Sequence, residues 1–81
     1  MSIMNEKIGL SIAALDLGQR GVISQVAGEE RLRRRLLEMG LVPGTEIHLI
    51  RRAPLGDPLE IGVRGYRLSL RRAEAALVGL H

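Results

Sequence analysis

Residues 59–70, LEIGVRGYRLSL, decide the fold, because they predict two short strands joined by a tight turn. Apolar side chains occupy alternate positions of the first half, at Leu59, Ile61 and Val63. This alternation is typical of a strand with one buried face. Gly65-Tyr66 then predicts a two-residue loop with glycine at its first central position, as a type II′ hairpin requires. The stretch therefore predicts an antiparallel hairpin in a mainly β fold.

The register of this hairpin follows from closing the loop between Arg64 and Arg67. That closure pairs apolar residues with apolar residues on a single face, so the turn and the alternation agree. The predicted pairs are Val63 with Leu68, and Ile61 with Leu70.

The strand that precedes the hairpin is predicted over Glu46–Arg52, EIHLIRR. The preferred register buries its apolar residues against the hairpin, whereas a shift by one residue would bury His48 instead. It also places Arg64 opposite Glu46 as an attractive pair on the outer face, and it leaves Ile50 pointing outward. The predicted pairs between the two strands are Ile61 with Leu49, and Val63 with Ile47.

One amphipathic helix is predicted over residues 29–39, EERLRRRLLEM. Gly28 is the predicted N-cap, and Gly40 is predicted to take the left-handed conformation of a Schellman motif, followed by Leu41. Pro43-Gly44 then predicts a type II turn. The apolar residues of the helix recur at helical spacing and form one narrow stripe: Leu32, Leu36 and Met39.

Four of the five residues 31–35 are arginines, which raises the question of nucleic-acid binding. Several have acidic neighbours at helical spacing, as in the pairs Glu30–Arg34, Arg34–Glu38 and Arg35–Glu38. This pattern favours a solvated basic face, although binding to nucleic acid or another anionic surface stays open as the alternative. The helix is short, and no second helix follows it as a helix-turn-helix motif requires.

The remaining sequence predicts a small bent barrel of five short strands, with the helix inserted after the first strand. Residues 1–8 are expected to be a flexible tail, and residues 9–81 a single domain. The additional predicted elements are a helical turn at 11–15, a strand at 21–26, a helical turn near Glu74 and a last strand at 77–80. The predicted core consists of Val22, Val26, Leu32, Leu36, Met39, Ile47, Leu49, Ile61, Val63, Leu68 and Leu70.

Composition excludes several classes of function. The chain has no cysteine, which excludes disulfides and thiolate metal sites. The apolar residues 8–15 are too few to span a bilayer, and acidic residues on both sides argue against a signal peptide, so a cytoplasmic protein is expected. No phosphate-binding P-loop occurs, and His48 and His81 stand apart, so neither a catalytic triad nor a histidine metal site is predicted. We therefore expect no enzyme and no catalytic residues.

Charge and aromatic content restrict the partners further. Residues 31–81 carry ten arginines against five acidic residues, which favours an acidic partner. Tyr66 is the one aromatic residue, and we expect it to cover the edge of the barrel. Grooves for proline-rich peptides and platforms for single-stranded nucleic acid both need several aromatic side chains. Contact with another protein is therefore the expected activity.

The segment 53–58, APLGDP, is the candidate site for that contact. Prolines stiffen both of its ends and Gly56-Asp57 predicts a tight turn, so the loop would lose little conformational entropy on binding. Leu55 is its one large apolar residue, with Arg51 and Arg52 close behind, which is the pattern of an apolar anchor with a basic rim. The alternative is that Leu55 folds back over the end of the barrel. The predicted partner-binding residues are Arg51, Arg52, Pro54, Leu55, Gly56, Asp57 and Pro58.

Residues 35–75, RLLEMGLVPGTEIHLIRRAPLGDPLEIGVRGYRLSLRRAEA, closely resemble the ferrous iron transport protein A (FeoA) family. The distinctive parts are MGLVPG, APLGDP, the glycine hairpin and LRRAEA, in this order and spacing. The resemblance extends more weakly upstream through LDLGQRGVISQV. It implies an SH3-like small barrel, in agreement with the strands predicted from the residues.

The resemblance also implies a role as a cytosolic accessory of a FeoB-type GTPase iron permease. The partner would be that membrane permease, homo-oligomers are left open, and no small-molecule substrate is expected. No cofactor is predicted, with weak binding of Fe²⁺ or another divalent metal kept open. The same barrel occurs as the C-terminal regulatory domain of iron-dependent repressors, so a metal-responsive regulatory module is the alternative.

Overall fold

The computed structural model describes residues 10–81, and the predicted tail 1–8 lies outside the described residues. The elements are a 3-10 turn (Ile12–Ala14), β1 (Arg20–Val26), α1 (Glu30–Glu38), β2 (Glu46–Arg52), β3 (Leu59–Val63), β4 (Tyr66–Leu70), α2 (Arg72–Ala75) and β5 (Val78–Leu80). The five strands form one antiparallel sheet in the order β4-β3-β2-β1-β5. The mainly β fold with one helix inserted between β1 and β2 is confirmed.

The segment before the 3-10 turn covers the outer side of β5. Ser11 forms an isolated bridge with Gly79, and the Leu80 amide donates a hydrogen bond to the Leu10 carbonyl at 3.1 Å. Residues 10 and 80 therefore lie side by side at this edge of the sheet.

The core is a single aliphatic cluster, and most of its predicted members lie in it. Of the predicted residues, Leu32, Met39 and Leu68 are partly buried against the cluster, whereas Val22 is 38% exposed and was assigned wrongly. Ile23 is fully buried in its place. The cause is an irregular register between Ile23 and Gln25, because a bulge moves the inward face of a strand by one residue.

The register of β2 on β3 is confirmed, with Leu49 opposite Ile61 and Ile47 opposite Val63. The pairing shifts between Leu49 and Arg51, so that Arg51 lies opposite Glu60. Ile50 is therefore the extra residue of a bulge, which explains why the alternating pattern left it on the outer face.

The hairpin between β3 and β4 differs from the prediction by two residues. Val63 lies opposite Tyr66 and Ile61 opposite Leu68, so the two-residue loop is Arg64-Gly65. Arg64 has φ of +45° and Gly65 has φ of +87°, which is a type I′ turn and not the predicted type II′ turn. A shift of two residues keeps every side chain on the same face of the sheet, so the buried faces were nevertheless predicted correctly.

The predicted pair of Arg64 with Glu46 is wrong, because Arg64 belongs to the turn. Its guanidinium donates a hydrogen bond to the Thr45 hydroxyl at 3.5 Å. Glu46 pairs instead with Arg20 of the neighbouring strand, at 3.3 Å.

The ends of α1 lie close to the predicted ones, and backbone hydrogen bonds explain its C-terminal end. The helix begins at Glu30 with Glu29 as N-cap, one residue later than predicted, so Gly28 is not the cap. At the other end the Gly40 amide donates to the Leu37 carbonyl and the Leu41 amide to the Leu36 carbonyl. Together with φ of +104° at Gly40, these bonds form the predicted Schellman motif.

Tyr66 connects the hairpin to the end of α1. Its hydroxyl donates a hydrogen bond of 2.6 Å to the carbonyl of Met39, the C-cap residue of the helix. Placing Tyr66 within β4 brings the ring to this position, which gives a physical reason for the observed hairpin register. The side chain is 43% exposed, consistent with a cover at the edge of the barrel.

Candidate partner-binding loop

The loop between β2 and β3 is held by its own backbone. The Ala53 amide donates to the Pro58 carbonyl at 3.0 Å and closes the base of the loop. The Gly56 amide donates to the Ala53 carbonyl at 2.7 Å, which forms a β-turn with Pro54 and Leu55 at its centre. The tight turn thus lies two residues earlier than the predicted Gly56-Asp57.

Leu55 projects from this turn into solvent and is 94% exposed. The alternative in which Leu55 folds back over the barrel is therefore excluded. Pro54 and Pro58 are exposed beside it, and Gly56 is half-buried. The predicted apolar tip exists, on a loop whose two internal hydrogen bonds limit its conformational freedom.

Asp57 has a structural contact that the sequence analysis missed. Its carboxylate accepts a hydrogen bond of 3.0 Å from the amide of Arg72, the first residue of α2. The first amides of a helix have no partner within the helix, so a carboxylate from another segment can satisfy one of them. The amide before it, that of Arg71, donates to the side chain of Glu74 at 2.9 Å. Asp57 therefore fixes the loop to α2.

Replacing Asp57 by alanine should lower the free energy of unfolding by about 1 kcal/mol, because α2 loses an acceptor for its first amide. Asp57→Asn keeps an acceptor oxygen at that position and should lose less. Urea unfolding of the two variants measures the difference. Equal stability of Asp57→Ala and the unchanged protein would show that the hydrogen bond contributes nothing.

The two arginines behind the loop are engaged elsewhere. Arg51 pairs with Glu60 at 3.5 Å, and Glu60 also pairs with Arg67 at 3.3 Å on the outer face of the sheet. Arg52 donates a hydrogen bond of 2.7 Å to the Leu15 carbonyl and so attaches the end of β2 to the segment after the 3-10 turn. The arginine that lines the same depression as Leu55 is Arg71.

Arg71 and Leu55 line a shallow depression of about 570 Å³ between the loop, β4 and α2. Ser69 and Glu74 line it from β4 and α2, and Glu74 is paired with Arg35 of α1 at 2.9 Å. The full lining is Leu55, Asp57, Pro58, Ser69, Arg71 and Glu74. Three of the predicted site residues therefore share one surface, which we name the loop depression.

The arginines of α1 form mostly local ion pairs. Glu30 forms ion pairs with Arg33 at 3.6 Å and with Arg34 at 3.2 Å, as a helical neighbour can. Arg35 pairs with Glu74 of α2, and not with Glu38 as predicted. Three of the four arginines thus have a carboxylate partner, which favours the solvated face over a nucleic-acid surface.

Two further kinds of feature are absent from residues 10–81. No group of three or more histidine, cysteine, aspartate or glutamate side chains is arranged to hold a metal ion. In the same residues, no helix has the length and apolar character needed to cross a membrane.

Comparison with known proteins identifies relatives over nearly the whole chain. The FeoA domain family model matches residues 10–80. A fusion of Fe²⁺ transport protein A with the Fe²⁺ transporter FeoB, from Porphyromonas gingivalis, is 39% identical over 69 residues, which are 85% of this chain and 8% of the fusion protein. The chain therefore corresponds to a small part of that relative.

Solved structures share the fold. The FeoA protein of Chlorobium tepidum is 40% identical, with a TM-score of 0.82 over 89% of this chain and 69% of that chain. The FeoA of Stenotrophomonas maltophilia, solved in complex with zinc and described as a prokaryotic SH3 domain protein, is 30% identical, with a TM-score of 0.78 over 89% of each chain.

The resemblance deduced from residues 35–75 is thereby confirmed and extended to the rest of the described chain. The five-stranded sheet with one inserted helix is an SH3-like barrel. Since the family model covers residues 10–80, the chain belongs to the FeoA domain family.

Proposed function

We propose that this protein is a cytoplasmic accessory of ferrous iron uptake that modulates a FeoB-type GTPase permease by direct contact, without a bound cofactor. The observation that carries the proposal is Leu55, a large apolar side chain that is 94% exposed on a hydrogen-bonded loop. The fusion relative supports the choice of partner, because joining two proteins in one chain raises their effective concentration for each other.

The loop depression has the features of a small contact site. Leu55 supplies apolar area that binding would remove from water, and polar groups surround it. The backbone of the loop is already fixed by the Ala53–Pro58 and Ala53–Gly56 hydrogen bonds and by the Asp57 contact with α2. A loop ordered before binding loses less entropy on contact, so more of the interaction energy appears as affinity.

The test compares Leu55→Ala with Leu17→Ala in binding to the isolated cytosolic GTPase domain of the permease. Both leucines are exposed, at 94% and 65%, so neither change should alter the melting temperature noticeably. Leu55→Ala should weaken binding by about tenfold, equivalent to about 1.4 kcal/mol, as expected for loss of an apolar anchor. Leu17→Ala should bind like the unchanged protein.

Asp57 is left unchanged in this comparison, because its loss would also disturb α2. Titrations are run by calorimetry with and without guanine nucleotide and Fe²⁺, and sedimentation records whether Leu55→Ala alters self-association. If Leu55→Ala binds the GTPase domain as tightly as Leu17→Ala does, the contact surface is not the loop depression. If no binding occurs under any of these conditions, the proposed partner is wrong.

A further inference from the structure

A second depression, of about 340 Å³, lies on the outer face of the sheet and shares no lining residue with the loop depression. Side chains of four strands and the β3–β4 turn line it. Its polar lining includes Arg20 from β1, His48 from β2, Arg64 from the turn and Arg67 from β4. We name this surface the arginine depression.

Positive charge exceeds negative charge in the arginine depression. Glu46 is the carboxylate that lines it, against three arginines, and it pairs with Arg20 at 3.3 Å. Glu60 contacts Arg67 at 3.3 Å but is shared with Arg51. The Arg20 and Arg67 side chains are 72% and 68% exposed, and ion pairs of such exposure are weak. Each guanidinium therefore keeps N–H donors free for a ligand.

Within residues 10–81, Arg64 differs from Arg20 and Arg67, the two other arginines that line the depression. It forms no ion pair there, and its hydrogen-bond acceptor is the uncharged Thr45 hydroxyl at 3.5 Å. Its φ of +45° is the one positive value at a residue other than glycine in residues 10–81. Asparagine or glycine would take this turn position at lower energy. A strained residue that keeps a charge at the rim of a depression is a reason to look for a ligand.

Gly62 provides a second observation at the same place. It lies in the interior of β3 opposite His48, where glycine is unfavourable for a strand. A Cβ atom at Gly62 would collide with the His48 imidazole, so the glycine leaves room for the ring above the strand. Any other residue would push the ring towards solvent and fill the floor between the arginines.

We propose that the arginine depression binds a phosphate-type oxyanion. Arg64 is the main ligand, Arg20 and Arg67 complete the positive rim, and the His48 ring covers Gly62 at the floor. Guanidinium groups match phosphate oxygens with paired N–H donors, and three of them around one depression suit a multiply charged anion better than a single carboxylate. The phosphate could belong to a free phosphate compound or to a lipid headgroup, and the two sources are distinguishable by experiment.

The test is an NMR titration of the full chain with pyrophosphate at low ionic strength. Saturable shifts are expected at His48, Arg64 and their neighbours. Arg64→Asn should weaken binding by about tenfold, as loss of one charge-assisted contact implies, while leaving the fold intact because asparagine tolerates positive φ. Arg31→Gln, on α1, removes the same charge from an exposed position outside the depression and should change the affinity less than about twofold.

A second arm uses flotation with vesicles of phosphatidylglycerol, and with phosphatidylcholine as the neutral control. Vesicle binding that Arg64→Asn abolishes assigns the site to a lipid headgroup, and pyrophosphate binding without vesicle binding assigns it to a free phosphate compound. The proposal is overturned if neither probe binds, or if Arg64→Asn and Arg31→Gln weaken binding equally. Should Arg64→Asn fail to fold, Arg64→Gly serves in its place.

Discussion

Leu36→Ala is expected to lower the free energy of unfolding by about 2–5 kcal/mol, which is a large share of the stability of a domain of this size. Leu36 is fully buried, and it is the one residue of α1 completely enclosed by the core. Truncation removes apolar area from the core and leaves a cavity that the sheet cannot collapse to fill. Chemical denaturation would measure the loss directly, with an unchanged slope of the free energy of unfolding against denaturant concentration.

Leu37→Ala is the matched control for this experiment. Leu37 is the next residue of the same helix, with similar helical propensity, but it is only partly buried against the core. It should lose clearly less stability than Leu36→Ala. Equal losses would mean that the helix packs through a different face from the one described.

Gly40→Ala is expected to lower the free energy of unfolding by about 2–3 kcal/mol, because two effects combine. Its φ of +104° is strained for any residue with a Cβ atom. In addition, a Cβ atom there would collide with the Tyr66 hydroxyl and break its 2.6 Å hydrogen bond to the Met39 carbonyl. The backbone effect and the side-chain effect can be separated by a double-mutant cycle.

Tyr66→Phe alone removes the hydroxyl and should lose about 1 kcal/mol. In that background Gly40→Ala no longer displaces a hydrogen bond, so its additional effect should fall by roughly that amount. Thermal unfolding of the four proteins supplies the coupling energy. Strict additivity would show that Gly40 and Tyr66 act independently and that the helix end does not depend on the hairpin.

Local sequence patterns predicted two kinds of element. These are helix ends, whose contacts are with residues near in sequence, and strands in which apolar and polar residues alternate regularly. The two-residue period of β2 and β3 fixed their register, and the Met39-Gly40-Leu41 sequence fixed the end of α1. The same alternation predicted which side chains are buried in the strands whose register is regular. Val22 was misassigned because nothing in its neighbourhood marks the bulge that turns Ile23 inward.

Contacts between distant segments could not be predicted in this way. The Tyr66 hydroxyl bonds to a residue 27 positions away, and this contact accompanies a type I′ turn that places Arg64 at positive φ against its own preference. The loop 53–58 was placed correctly between two strands, and Leu55 is exposed on it. However, the contact of Asp57 with Arg72, and the engagement of Arg51 and Arg52, depend on chain segments that meet only in the folded protein.

The hydrogen bond between Leu80 and Leu10 has a consequence for how such a domain can be joined to others. Since the two ends of the barrel meet at one edge, a neighbouring domain attached before residue 10 or after residue 80 would leave from the same point of the surface. A circularly permuted chain with a short linker between these ends would keep all four strand pairings. A neighbouring domain would therefore start from the same place on the surface whichever end it is joined to, so the barrel can be combined with other domains through either end.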